Sequence, residues 1–188
     1  MRRLTIVCTL TVLVMLQAWT VGCEQLRRGG AMLPVEEGSD LMEEGQYEQA
    51  IEEFSKAIEI DPESFSAYCL RAEAYYEIEQ YDKAVADYTK AIEVYPESGW
   101  KHPKYANAHY DRGNVYYYME EYDKAIADYT KAIEIDPGLV DAYYDRGLSY
   151  KAQGDIGKAI ADFEEVISES DDSELVDKAK QQIAELSE

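Results

Sequence analysis

Apolar residues recur along this chain in blocks of five. They fall at Ala50, Ile51, Phe54, Ala57 and Ile58, at Ala84, Val85, Tyr88, Ala91 and Ile92, at Ala125, Ile126, Tyr129, Ala132 and Ile133, and at Ala159, Ile160, Phe163, Val166 and Ile167. Steps of one, three, three and one place each block on one stripe of a helix, with Glu, Asp and Lys on the remaining surface. Such a stripe needs a partner, and the residues ahead of the blocks supply one. Tyr68, Ala72 and Tyr75, then Gly113 and Tyr116, then Tyr143, Gly147 and Tyr150 also recur at helical spacing. The small residue in the middle lets two helices approach closely, and the aromatic rings wedge between them. Pro62, Pro96 and Pro137 follow three of the blocks and stop the second helix, because proline lacks the amide hydrogen that would continue the ladder. Each unit is therefore expected to be a helical hairpin.

The hairpins are copies of one another. Residues 122–137 (YDKAIADYTKAIEIDP) repeat residues 81–96 (YDKAVADYTKAIEVYP) almost letter for letter. Alignment of the whole chain gives four units, starting near Ala31, Phe65, Ala106 and Val140 at offsets of 34, 41 and 34 residues. The unit from Val140 carries Tyr143, Gly147, Tyr150, Gly154, Ala159 and Phe163, and the unit from Ala106 carries Gly113, Tyr116, Ala125, Tyr129, Ala132 and Pro137. In this order and at this period the residues resemble the tetratricopeptide repeat. The resemblance covers residues 31 to 171 and departs at Pro34 and Glu37 in the first unit, Ala72 in the second and Asp171 at the end of the fourth. It implies an all-α solenoid of four helix-turn-helix repeats, at 31–64, 65–98, 106–139 and 140–173. Leu175, Val176, Ala179, Ile183 and Leu186 then form a last amphipathic pattern, expected as a capping helix over 174–187 that covers the final repeat.

The resemblance also implies a site. In the family the first helix of each repeat lines a concave face, and fixed places of that helix point into it. Carried over residue by residue, the second unit contributes Ser66, Cys69, Glu73, Tyr76 and Glu77. The third contributes Asn107, Tyr110, Asn114, Tyr117 and Tyr118, and the fourth Asp141, Tyr144, Leu148, Lys151 and Ala152. This acidic, aromatic trough suits an extended or helical segment of a partner protein with basic and apolar side chains. Some family members grip a partner's terminal carboxylates with basic residues; here Cys69, Tyr110 and Tyr144 stand where a basic residue would be wanted, which disfavours that mode. Seven extra residues between the second and third units add Trp100, Lys101, His102, Pro103 and Lys104, read as a basic aromatic loop that extends the turn.

Charge narrows the partners. The chain has 18 Lys and Arg against 39 Asp and Glu, a net charge of −21. Such a surface repels phosphate backbones, so nucleic acid is not expected as a partner. Seventeen tyrosines against three phenylalanines suit half-buried helix seams, where a ring packs and its hydroxyl reaches water.

The N-terminus is of another kind. Arg2 and Arg3 precede an apolar run from Leu4 to Trp19, followed by Thr20, Val21, Gly22 and Cys23, the pattern of a secretory signal over residues 1–22. Cys23 after Gly22 resembles the bacterial lipobox, with Thr20 in place of its usual leucine, and implies lipidation at Cys23. The mature chain would then carry 16 − 39 = −23, held by acyl chains to a membrane on the periplasmic or cell-surface side. Residues 23–33 are expected to form a tether. The alternative keeps Leu4 to Gly22 as an uncleaved membrane helix. Cys69 has no partner left for an intramolecular disulfide once Cys8 is cleaved away and Cys23 acylated.

Reactive chemistry is absent from the pattern. The chain has no phosphate-cradling glycine loop, nucleophile elbow, zinc spacing or calcium loop, and His102 and His109 are its only histidines. No metal, cofactor or small-molecule substrate is expected. The function implied by the resemblance is a non-catalytic protein-binding scaffold, with cell-envelope assembly as the setting suggested by bacterial lipoproteins of this type.

Overall fold

A computed structural model describes residue 30, residues 32–95 and residues 102–187. The expected signal segment, Cys23, most of the expected tether, Pro96, Trp100 and Lys101 lie outside the described residues. Among the described residues every regular element is a helix, and no helix is long and apolar enough to cross a membrane. Helix α1 covers 32–43, α2 Tyr47–Ile60, α3 Phe65–Glu77, α4 Tyr81–Val94 and α5 Pro103–Tyr118. Helices α6 (Tyr122–Ile135), α7 (Val140–Gln153), α8 (Ile156–Glu169) and α9 (Ser173–Leu186) complete the chain.

The stripes explain the stacking. In α2, α4, α6 and α8 the first, third and fourth residues of each apolar block are buried, and the second and fifth are half-buried. Each hairpin closes where a small residue meets an aromatic ring. A Cβ added to Gly113 would lie 2.8 Å from the Tyr129 ring, one added to Gly147 2.8 Å from Phe163, and one added to Gly38 2.5 Å from Phe54. A methyl group at such a place overpacks the seam at a cost of about 1–3 kcal/mol. The core then continues from unit to unit: Phe54 of α2 packs with Ala74 of α3, Tyr88 of α4 with Val115 of α5, and Phe163 of α8 with Ala179 of α9. From α2 onward each helix packs on its neighbours in sequence, and α5 also meets α7, as expected for a solenoid.

The turn inside each hairpin needs one left-handed residue. It is Gly45 in the first unit and Gly154 in the fourth, but Glu79 and Glu120 at φ 59° and 60° in the other two. A side chain in that conformation costs about 1–2 kcal/mol. The turn is held by a repeated amide bond, from Gln46 to the Leu41 carbonyl at 2.8 Å, Gln80 to Tyr75 at 2.8 Å, Glu121 to Tyr116 at 2.9 Å and Asp155 to Tyr150 at 2.9 Å. Helices α2 and α6 stop at Ile60 and Ile135, two residues before Pro62 and Pro137.

Two boundaries differ from the sequence expectation. Helix α1 already includes Met32 and Leu33, which the expected tether contained. Pro103 and Lys104 are not loop residues but the first residues of α5, and His102 caps it. The His102 Nδ1 accepts the Lys104 amide at 3.1 Å as an N-cap, and Pro103 takes the first helical position, where its missing amide costs nothing.

A polar device sets the register. Arg71, Arg112 and Arg146 occupy one place in three units, and each grips the aspartate sixteen residues on. Arg71 donates to both Asp87 oxygens at 2.7 and 2.8 Å, Arg112 to Asp128 at 2.8 and 2.7 Å, and Arg146 to Asp162 at 2.8 and 2.7 Å. The remaining guanidinium nitrogen reaches back to the preceding unit, to Ser55, Thr89 and Thr130 at 2.9, 2.9 and 3.0 Å. Each clamp thus ties the two helices of one hairpin to the hairpin before it. The first unit has Glu37 and Glu53 at the two clamp places and has no arginine there.

Candidate functional site

The carried-over groove residues lie on α3, α5 and α7, whose shared face is the candidate wall, and each keeps some exposure. Ser66, Glu73, Glu77, Asn107, Tyr118, Asp141 and Ala152 are exposed, and Cys69, Tyr76, Tyr110, Asn114, Tyr117, Tyr144, Leu148 and Lys151 are partly so. The structure gathers only some of them. Glu73, Tyr76, Glu77 and Asn114 line a cavity of about 200 Å³ between α3 and α5, together with Tyr88, Asp111 and Val115. Beside it lies a cluster of tyrosine rings. Tyr76 meets Tyr118 edge-on at 5.4 Å, Tyr117 meets Tyr118 at 6.1 Å, and Tyr81 and Tyr122, at the starts of α4 and α6, join them at 6.3 and 5.6 Å. Ser66, Asn107 and Asp141 lie outside that cavity, nearer the N-terminal ends of their helices.

The fourth unit's groove residues serve the cap. Tyr144 and Leu148 pack with the Phe163 and Ala179 cluster, and Lys151 Nζ bonds Gln182 at 2.7 Å and Glu185 at 2.8 Å on α9. Between the two ends Tyr110 donates its hydroxyl to Asp145 at 2.7 Å, while Tyr129 donates to the Asn114 side-chain Oδ1 at 2.8 Å.

Electrostatically the wall is short of cations. Burial, with Glu73 adding repulsion, pushes the Asp111 carboxyl up to about 7. The Glu73 carboxyl is also raised, by partial desolvation at the cavity and by Glu77. Asp145 is pushed up to about 6 by burial and by Asp141, against the stabilising hydroxyl of Tyr110. Cys69 is pushed up to about 12 by burial, Asp111 and Glu73, so its thiol stays protonated and is no nucleophile at neutral pH. Among the described residues no group of three His, Cys, Asp or Glu side chains is placed to hold a metal ion. His109 instead lies buried with Nδ1 3.2 Å from Asp128, part of the register clamp.

Sequence reading missed Asp111 and Asp145. Both occupy the sixth place of their units, and the recurrence of aspartate at one place in consecutive units was the available signal. It passed unread because acids are common on solvated helix faces.

Stacked helical hairpins define an interaction scaffold of the α-solenoid class. The chain belongs to the tetratricopeptide repeat family. Family models described as tetratricopeptide repeat match residues 63–138 and 110–174, and one described as TPR repeat matches 38–78. A crystal structure of MamA protein is similar at 31% identity over 74% of this chain and 72% of that one, with a TM-score of 0.67. A MamA structure from Desulfovibrio magneticus RS-1 shares the fold at 17% identity and a TM-score of 0.67, covering 84% of this chain and 94% of that one. The first TPR domain of Spaghetti (RPAP3), solved with an HSP90 peptide, SRMEEVD, shares the fold at 22% identity and a TM-score of 0.60, covering 66% of this chain and 93% of that one. Comparison with curated proteins gave no match.

Proposed function

We propose that this protein is a non-catalytic scaffold, exported and lipid-anchored at Cys23, that holds partner polypeptides with basic and apolar side chains in its concave groove during cell-envelope assembly. The observation that supports the groove reading is the cavity between α3 and α5, where Glu73, Glu77 and Asp111 stand beside a cluster of tyrosines. The peptide in the Spaghetti structure ends in acids, whereas this wall favours the opposite charge. The anchor reading rests on residues 1–23 alone. Intact mass of the membrane-extracted protein tests it: loss of residues 1–22 with added acyl mass is expected, and a retained Met1 refutes it. For the groove, the full chain in detergent is titrated with labelled basic-apolar and acidic-apolar peptide pools. The basic pool is expected to bind, with affinity falling steeply as salt rises. A protein that binds neither pool, or the acidic one better, refutes the groove reading.

A further inference from the structure

The junction of the second and third units presents a helix face that no other described element covers. Tyr118 is 58% exposed on it, although its ring is packed edge-on and flat against Tyr76 and Tyr81. Directly beside these rings opens the cavity of about 200 Å³, floored by Val115 and Tyr88 and walled by Glu73, Glu77 and Asp111.

We propose that this face docks a partner segment through one arginine, whose guanidinium enters the cavity between Glu73, Glu77 and Asp111 while neighbouring residues of the segment lie on Tyr76, Tyr117 and Tyr118. The proposal rests on the groove reading and names the chemistry that the groove selects.

Three observations choose the occupant. The first is charge: three carboxylates share one cavity, and among the described residues none of them is held by a cation or a hydrogen-bond donor. The second is the molecule's own practice. Asp87, Asp128 and Asp162, the aspartates of the register clamps, are each met by an arginine fork at 2.7 to 2.8 Å, with Arg71 and Arg146 also lying 5.5 to 6.0 Å from tyrosine faces, while Asp145 is met by the Tyr110 hydroxyl at 2.7 Å. Asp111 is half-buried, less enclosed than the clamp aspartates, lies beside Tyr76 and Tyr88, and has neither kind of partner. The third is shape. The cavity has room for several water-sized groups, which admits the flat head of a guanidinium. Its forked donors can reach separate carboxylates, its faces stack on phenol rings, and it sheds water more readily than an ammonium. Because burial leaves the Asp111 carboxylate poorly solvated, an entering cation supplies the positive charge that the cavity's lining lacks.

The test uses the full chain in detergent at pH 8 and two labelled, end-capped peptides of alternating leucine and serine. One has arginine at its centre and the other citrulline, which keeps the shape and removes the charge. The arginine peptide is expected to bind about tenfold tighter or more, the scale of a charge-assisted hydrogen bond. That preference is expected to fall below about threefold in Asp111→Asn and in the double variant Glu73→Gln/Glu77→Gln. Tyr118→Ala is expected to weaken both peptides alike. The paired glutamates are exposed, so their replacement leaves the fold intact even if Asp111→Asn does not. Equal binding of the two peptides, or a preference that survives in the glutamate variant, overturns the arginine site and leaves the groove reading standing. If neither peptide binds but the basic pool does, the arginine site alone falls; if the basic pool also fails, both readings fall.

Discussion

Asp111 is an acid kept where ionisation is costly. Its carboxyl is raised from 3.8 to about 7 by burial and by Glu73, so the folded state favours the protonated form. The linkage follows from that sign. Below about pH 4 the group is protonated in both folded and unfolded chains and costs nothing. Stability is lost as pH climbs from there to 7, because the unfolded chain releases the proton first, and the loss is constant above 7. Asp111→Asn is therefore expected to raise the unfolding free energy from urea titration at pH 8 by about 1–2 kcal/mol and to leave it unchanged at pH 4. A variant no more stable than the native protein at pH 8 would show that the carboxylate is well solvated. A residue that burdens the fold in this way is a candidate for work elsewhere. Of the wall around it, Glu73, Tyr76, Glu77 and Asn114 were legible from the family's register alone. Asp111 was not, because its burial arises only once α3 and α5 lie side by side.

The hairpin was the most legible element, and the reason is physical. A stripe at 3.6-residue spacing, a small residue midway along the first helix and a terminal proline each act within some thirty residues, although the ring that meets Gly113 is Tyr129 of the second helix and not a neighbouring tyrosine of the first. The clamp that registers one hairpin on the next was not legible, because the place held by Arg71, Arg112 and Arg146 is one where the family expects an apolar residue, and arginine there reads as surface. Its signature was the recurrence of arginine and aspartate sixteen residues apart in three units. The side chains of Arg112 and Asp128 are only 17% and 8% exposed, so solvent screens them little. Arg112→Met would strand the Asp128 carboxylate with His109 alone and is expected to cost about 3–5 kcal/mol. Arg112→Met with Asp128→Leu is expected to recover most of that loss, since an apolar pair leaves no buried charge. Urea midpoints of the two variants settle the point, and equal losses would mean that the clamp contributes packing alone. The start of α5 was misread for a related reason: His102 looked like a loop residue until its ring was found capping the helix.

At the scale of the whole molecule, stability in a solenoid is a sum over neighbours, so its two ends need not be equal. The C-terminal end is fastened. Helix α9 buries Ala179 against Phe163 and is tied to α7 by Lys151. The N-terminal end is not, because Glu37 and Glu53 replace the arginine and aspartate that lock the later hairpins. Helix α2 is still held from behind, since Arg71 reaches Ser55, but the clamp series stops there. Amide hydrogen exchange is expected to be fastest in α1, with protection rising at α2 and staying high through α8. Uniform protection from α1 to α8 would show that the missing clamp is without effect. The consequence is mechanical. A pull applied from the N-terminus meets the weakest hairpin first, and its first helix, roughly 18 Å long when coiled, would pay out to roughly 40 Å of extended chain. Load would be absorbed as slack before the later hairpins were distorted, so the clamped part of the stack would keep its shape while the first helix paid out.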